Sequence, residues 1–350
     1  FIMKRNIVAI AVIMAMGVWG CSKIDSGNSG LKRAVENGVA SIDHAVSKIS
    51  GTTGYQLLSM NDATSKSDFT FNDTIELSDV AGIYDFQPDT ILRIHHFSPY
   101  RLFKKTGESA DMVVNLPEAM VFHPKHLCFF APLDTVYPNN FTITATDYHL
   151  YFNWWNSYEY KLTAGLSLDD KDAGSMDVSS TSHSAHTNSY ASSYTFTNGY
   201  NIAAVWQDGD TATSAFSLSN GNDTLFRESN TFIWHDFHKT EKFYKLKIGS
   251  VELRKSTGVD SLQVFVNDVL QQNAARMITD DSDVSGSVCN RRDILLTYDD
   301  GTTARLSDII APVKEDLKSL RNSLHSMYFA KHIVDYIAFS IYYESHQYQD

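Results

Sequence analysis

The sequence predicts a mainly β (α+β) fold, with antiparallel sheets in a sandwich-like layering and one helix at each end of the chain packed on the body. Three observations predict it. From Asn61 onward the chain breaks into short segments rich in Thr, Tyr, Phe, Val and Ile, with turn residues between them. Two of these segments, Phe141-Thr142-Ile143-Thr144-Ala145-Thr146 and Tyr158-Glu159-Tyr160-Lys161-Leu162-Thr163-Ala164, alternate apolar and polar residues. Alternation gives one buried and one wet face, the mark of antiparallel pairing. Outside the β region, two stretches carry apolar residues at the three-and-four spacing of a helix.

Taken in order, the chain opens on an address. Phe1 and Ile2 precede the start at Met3; Lys4 and Arg5 are followed by the uncharged run Ile7 to Val18, then Trp19, Gly20 and Cys21. Basic residues, a short apolar run and a small residue before the cut are the parts of a secretory signal peptide. The run is too short to span a bilayer comfortably, which takes about 20 residues. The segment Val18-Trp19-Gly20-Cys21 resembles the lipobox of bacterial lipoproteins, with Trp19 departing from the small residue usual at that place. The resemblance implies that residues 1–20 are removed as a type II signal peptide and that Cys21 becomes the acylated N-terminus. Two or more acyl chains hold a protein on a membrane stably, at about 0.8 kcal/mol per buried methylene. Ser22 stands where an aspartate would signal retention at the inner membrane, so the expected location is the outer membrane, on its periplasmic or cell-surface side.

Residues 21–30 are small and polar and read as a flexible tether; 31–350 read as one β-rich domain. Leu31, Val35, Val39, Ile42, Val46 and Ile49 share one face of a helix ended by Gly51. The stripe is under three heptads, so it is expected to pack on its own domain rather than on a coiled-coil partner. In the β region, Asn198-Gly199, Asp208-Gly209, Asn267-Asp268 and Asp300-Gly301 stand between strand-like runs as tight turns. Lys245, Lys247, Glu252, Arg254 and Gln263 fill wet strand positions. Residues 174–193, crowded with Ser, Thr and His, read as a linker that would subdivide the domain or as a long hairpin loop. A faint echo links Thr146-Asp147-Tyr148-His149-Leu150 to Thr197-Asn198-Gly199-Tyr200-Asn201-Ile202; a repeated meander or chance explains it. Ser307 and Pro312 signal the start of a helix carrying Val313, Leu317, Leu320, Leu324 and Met327. The run Ile333 to Tyr343, apolar and β-branched, reads as a buried final strand, with helix the alternative for so short a run.

Composition removes several function classes. Without Lys4 and Arg5, 27 basic residues face 41 acidic ones, a formal charge of −14. Nucleic acid is therefore excluded as an expected partner, since its binding rests on a basic surface. Past Cys21 only Cys128 and Cys289 remain. In an oxidising compartment they can pair, but Cys128 within Leu127-Cys128-Phe129-Phe130 equally fits a buried small hydrophobe. The histidines His95-His96, His123 with His126, His183 with His186, and His235 with His238 around Asp236 lack the spacing of a zinc site and read as solvated turn residues. No nucleophile elbow or glycine-rich phosphate loop is present. Asp169-Asp170-Lys171-Asp172 lacks the alternation and the glycine of a calcium loop and reads as a hairpin turn. No cofactor or metal is implied.

Aromatic residues are the one enrichment with a functional reading. Tyr148, Tyr151, Trp154, Trp155, Tyr158 and Tyr160 crowd together, bracketed by Asn153 and Asn156. Rings stack on the apolar faces of sugars while amides bond their hydroxyls; the same rings also serve as strand-forming core. If the protein binds glycan, Trp154, Trp155, Tyr158 and Tyr160 are the expected ligand-binding residues. The triplets Asp73-Thr74-Ile75, Asp89-Thr90-Ile91, Asp134-Thr135-Val136, Asp210-Thr211-Ala212, Asp223-Thr224-Leu225 and Asp260-Ser261-Leu262 look like O-glycosylation sites of exported Bacteroidetes proteins. With the lipobox and the Tyr- and Asn-rich β body, the chain resembles cell-envelope lipoproteins of Bacteroidetes. That resemblance implies a lipid-tethered domain with no particular activity. The expected function is a non-enzymatic binding or structural role in the envelope, toward glycan or another envelope protein. The alternative is a glycan-directed hydrolase whose acids the sequence does not single out.

Overall fold

The computed structural model describes residues 30–59, 73–87, 102–118, 138–153, 157–183, 187–235, 239–257, 262–279 and 292–347. Residues 1–29 with Cys21, both Cys128 and Cys289, and the indoles Trp154 and Trp155 lie outside the described residues. Helices α1 (Leu31–Ser50) and α2 (Thr53–Ser59) come first. Then follow β1 (Asp73–Glu76), α3 (Leu77–Val80), β2 (Gly82–Phe86), β3 (Phe103–Gly107) and β4 (Met112–Leu116). The long strands are β5 (Phe141–Asn153), β6 (Ser157–Leu168), β7 (Lys171–His183), β8 (Asn188–Thr195), β9 (Tyr200–Gln207), β10 (Thr211–Asn220), β11 (Asp223–His235) and β12 (Lys239–Ile248). β13 (Val251–Ser256), β14 (Gln263–Val266) and β15 (Val269–Gln271) finish that sheet. β16 (Ala275–Thr279), β17 (Arg292–Thr297) and β18 (Thr303–Arg305) form a second, small one, and α4 (Leu306–Ser326) and α5 (Tyr328–Gln347) end the chain.

The mainly β architecture is as the sequence predicts. β4 to β15 form a meander in which each strand pairs antiparallel with the next; β1 pairs with β5, and β2 runs parallel to β4. Two-residue turns hold much of this register. Asp169 and Asp170 between β6 and β7, and Asn267 and Asp268 between β14 and β15, all have positive φ. Short polar side chains tolerate that conformation, which matches the twist of the flanking strands. Asn198-Gly199, Asp208-Gly209 and Asp300-Gly301 also fall between paired strands, as expected.

One face of the large sheet carries the core. Its residues alternate buried and half-buried, with Phe141, Ile143, Ala145, Tyr148 and Leu150 of β5 and Tyr160, Leu162, Ala164 and Leu166 of β6 turned inward. The helices cover this face: α1 lies against β11, β12 and β13, α4 against β8 and β9, and α5 against β1 and α3. The sandwich-like layering is thus sheet against helix. α1 buries Leu31, Val35, Ile42, Val46 and Ile49 against its own domain, with Val39 half-buried at the margin. Gly38 takes the centre of contact because helix backbone meets hairpin backbone there. A Cβ on Gly38 would stand 2.7 Å from the Ile248 carbonyl oxygen, and one on Gly249 would stand 2.9 Å from Gly38 Cα.

Four expectations need correction. Ile333 to Tyr343 is helical, within α5, because the segment is buried on most sides and so loses the one-sided period that marks a helix. The preceding helix begins at Leu306, not near Pro312, which lies inside it. Asp308, Ala311 and Pro312 are exposed, so water can satisfy the carbonyl that proline leaves without a donor. Residues 174–183 and 188–193 are not a linker but belong to β7 and β8, paired from Ser175↔Thr195 to Ser182↔Asn188. The echo is no repeat: Thr146 to Leu150 lies in mid-strand at a bulge, and Thr197 to Gly199 in a hairpin turn.

Gly38→Ala is expected to destabilise the protein by about 1–3 kcal/mol, read as a lower urea midpoint, because helix or hairpin must shift to admit the methyl group. Gly165→Ala, whose added Cβ meets nothing within 4 Å, should leave the midpoint unchanged or slightly raised.

Candidate functional site

Strand register places a single line of side chains across the helix-bearing face. It runs Tyr160↔Ser180↔Tyr190↔Trp206↔Ser214↔Asn230↔Tyr244↔Lys255, from β6 to β13. At one end the line is covered by α5; at the other it is open.

The covered end is a polar cell in an apolar core. Tyr328, Lys331, His332 and Asp335 recur at three- and four-residue spacing, which puts them on one side of α5. Asp335 is 2 % exposed. It accepts from Lys331 Nζ at 2.6 Å and from the Tyr148 hydroxyl at 3.3 Å. Lys331 Nζ also sits 3.9 Å from the centre of the Tyr160 ring, a cation–π contact worth about 2 kcal/mol where water is excluded. Tyr148 meets Tyr160 edge-on, Tyr158 lies parallel to Tyr160, and Tyr190 stacks on Tyr328. Tyr148 reaches the cell because of the β5 bulge between Ala145 and Asp147, which reverses the strand's alternation.

Burial, and then the Asp335 carboxylate, raise Tyr148, Tyr158 and Tyr160 above the usual tyrosine range, so these phenols keep their protons. The Tyr160 hydroxyl is buried with no partner in hydrogen-bonding geometry, although Asp335 is near enough to raise its pKa. Burial lowers His332; Asp335 opposes the shift and Lys331 adds to it.

At the open end the same face carries Trp206, 45 % exposed, and Trp234, 56 % exposed. Ser214 and Asn230 continue the row of Trp206, and Phe232, which pairs with Lys242 in the adjacent row, stands between Asn230 and Trp234 on β11. The Tyr244 hydroxyl donates to Glu228 at 3.3 Å.

Of the four residues the sequence suggested for a ligand, Tyr158 and Tyr160 are brought together on this face, while Trp154 and Trp155 lie outside the described residues. Tyr160 is closed to solvent, and its ring serves Lys331. Lys331 and Asp335 escaped sequence reasoning, although one aspartate in so apolar a run is a signal that it has a buried partner. Trp206 and Trp234 were legible only by carrying the strand alternation past the last buried residue. Of the histidines read as solvated turn residues, His183 lies beside Glu159 at 3.5 Å, and His95, His96, His123, His126, His186 and His238 lie outside the described residues. Among the described residues, no three His, Cys, Asp or Glu side chains could hold a metal ion together.

Lys331→Met is expected to cost about 3–5 kcal/mol in urea unfolding, since it strands a buried carboxylate. Adding Asp335→Leu should recover much of that loss. His332, whose folded pKa lies below its ordinary 6.5, contributes stability above that value and loses it as pH falls through the folded pKa. The urea midpoint should therefore drop as pH falls below the ordinary histidine value of 6.5, less steeply in His332→Gln.

Comparison of the chain with protein-family models, curated proteins and solved structures finds no match in any of the three.

Proposed function

We propose that this protein is a lipid-anchored component of the bacterial cell envelope that binds glycan on the helix-bearing face of its sheet without cleaving it. The anchor rests on Lys4 and Arg5, the apolar run and Cys21 directly after Gly20. The binding role rests on one observation: two largely exposed indoles, Trp206 and Trp234, stand on the face whose rings under the helices are buried, with Ser214 and Asn230 continuing the row of Trp206 and half-buried Phe232 between Asn230 and Trp234 on β11. Indole faces stack on the C–H faces of a sugar ring, and amide and hydroxyl groups bond its hydroxyls.

A glycan hydrolase is the competing reading. It needs two carboxylates roughly 5–9.5 Å apart, flanking one bond. Away from the turns, the described strand residues between Tyr200 and Ser256 bring one carboxylate to this face, Glu228, already bonded by Tyr244. Asp335 is held by Lys331 and Tyr148.

Titration calorimetry of the full-length protein in detergent, against a panel of host and plant polysaccharides, tests the reading. Saturable binding is expected, with Trp206→Ala and Trp234→Ala each weakening it about tenfold or more, in line with roughly 2 kcal/mol for a central aromatic contact. Both side chains are exposed, so the variants should keep the wild-type unfolding midpoint. No binding to any polysaccharide, or full binding by the double variant, would overturn the proposal. New reducing ends appearing with time would shift it to the hydrolase.

A further inference from the structure

We infer that the glycan bound on this face is anionic, carrying carboxylate or sulfate groups that Lys242 and Lys255 neutralise. The inference rests on the glycan-binding reading and specifies its ligand. Formal charge is −12 over the whole chain, yet the stretch from Lys239 to Ser256 holds six basic residues against two acidic ones, Glu241 and Glu252. Strand alternation divides them between the faces. Lys245, Lys247 and Arg254 share the outer face with Glu252, where Arg254 bonds Glu252 at 2.5 Å and also reaches Asp268 at 3.7 Å.

Lys242 and Lys255 are on the other side, with the exposed rings. Phe232 pairs with Lys242, whose Nζ stands 5.7 Å from the centre of that ring, and Tyr244 pairs with Lys255. The two lysines are thus diagonal neighbours on one face, about 7–8 Å apart at the backbone. Neither has a carboxylate partner among the described residues. Two like charges at that distance repel, and an anion between them removes the repulsion. Glu228 lies on the same face one row nearer the helices, with its carboxylate turned to the Tyr244 hydroxyl. It offsets one of the two charges, and one net positive charge remains on the rows beside Trp234.

An anionic bilayer has the same charge but a different shape. α1 lies over the neighbouring rows of β11 to β13, and a helix with its side chains stands about 10–12 Å proud of the sheet. That step keeps a flat surface from the lysines, whereas a linear polymer can lie along the uncovered rows.

The experiment is titration of the full-length protein in detergent with polygalacturonate and chondroitin sulfate, and with neutral dextran and xyloglucan, at low and high salt. The acidic polymers should bind at least tenfold more tightly than the neutral ones at low salt, with the gap closing as salt rises. Lys242→Gln/Lys255→Gln should abolish that preference by weakening the acidic polymers at least tenfold more than the neutral ones. The outer-face variant Lys245→Gln/Lys247→Gln should keep it. Equal affinity for neutral and acidic polymers, or an unaltered preference in Lys242→Gln/Lys255→Gln, would overturn the inference while the effect of the tryptophan variants leaves the glycan reading standing. Failure to bind any polysaccharide would overturn both. Loss of binding to phosphatidylglycerol vesicles in the double lysine variant, with acidic polysaccharide binding intact, would overturn the inference in favour of a lipid surface.

Discussion

The structure depends on a side-chain period of two, carried from strand to strand across the antiparallel pairs from β5 to β13. Pairing is interrupted there at three places: between Ala145 and Asp147, between Leu166 and Ser167, and between Leu218 and Ser219. Everywhere else, the position of one side chain fixes the face of every neighbour in its row. Two-residue turns with residues at positive φ protect that register, because a slip of one residue would turn each strand's apolar set to solvent. The first interruption is as informative as the regularity. Without the bulge at Thr146, Tyr148 and Leu150 would face outward, and Asp335 would lose one of its two donors.

Asp335 and Lys331 then set how the last helix sits. Removing both charges from water costs several kcal/mol each, and their mutual attraction with the Tyr148 bond and the Tyr160 ring roughly offsets this. The pair is better read as fixing the rotation of α5 than as a source of net stability. The apolar side chains of α5, from Phe329 to Tyr342, bury on most sides and would tolerate several rotations. Only one of them brings Lys331 over Tyr160 and Asp335 to Tyr148.

Much of this architecture was legible in the sequence because it is local. Alternation in β5 and β6, turn residues such as Asp169-Asp170 and Asn267-Asp268, and the stripe of α1 are read within a few residues. What stayed hidden is tertiary. The α5 segment reads as a strand because burial on most sides removes its period. The run from Gly174 to Ser193 reads as a linker or a loop because β7 and β8 carry small polar residues, stabilised by neighbours on both sides rather than by their own apolarity. Trp206 and Trp234 carry no local mark either. Their exposure is a property of where the helices stop.

Where the helices stop separates two halves of one row. Tyr160, Tyr190 and Trp206 are register neighbours, separated only by Ser180. α5 lies over Tyr160, Tyr328 stacks on Tyr190, and Trp206 is left in water. In the adjoining row of the outer face, Lys161 of β6 and Lys245 of β12 flank five small residues that run between them in register, Ser179, Ala191, Val205, Ala215 and Ser229. These are small side chains, and Val205 is the largest of them. The uncovered rows of the inner face carry Trp206, Phe232, Trp234 and Tyr244 instead. A chain that needed those rows only to extend a sheet would gain more from the small residues, because exposed indole surface costs about 25 cal/mol per Å² left in water. Large rings kept at that cost, on the face where the helices end and two lysines have no carboxylate partner among the described residues, are what a ligand-binding surface requires.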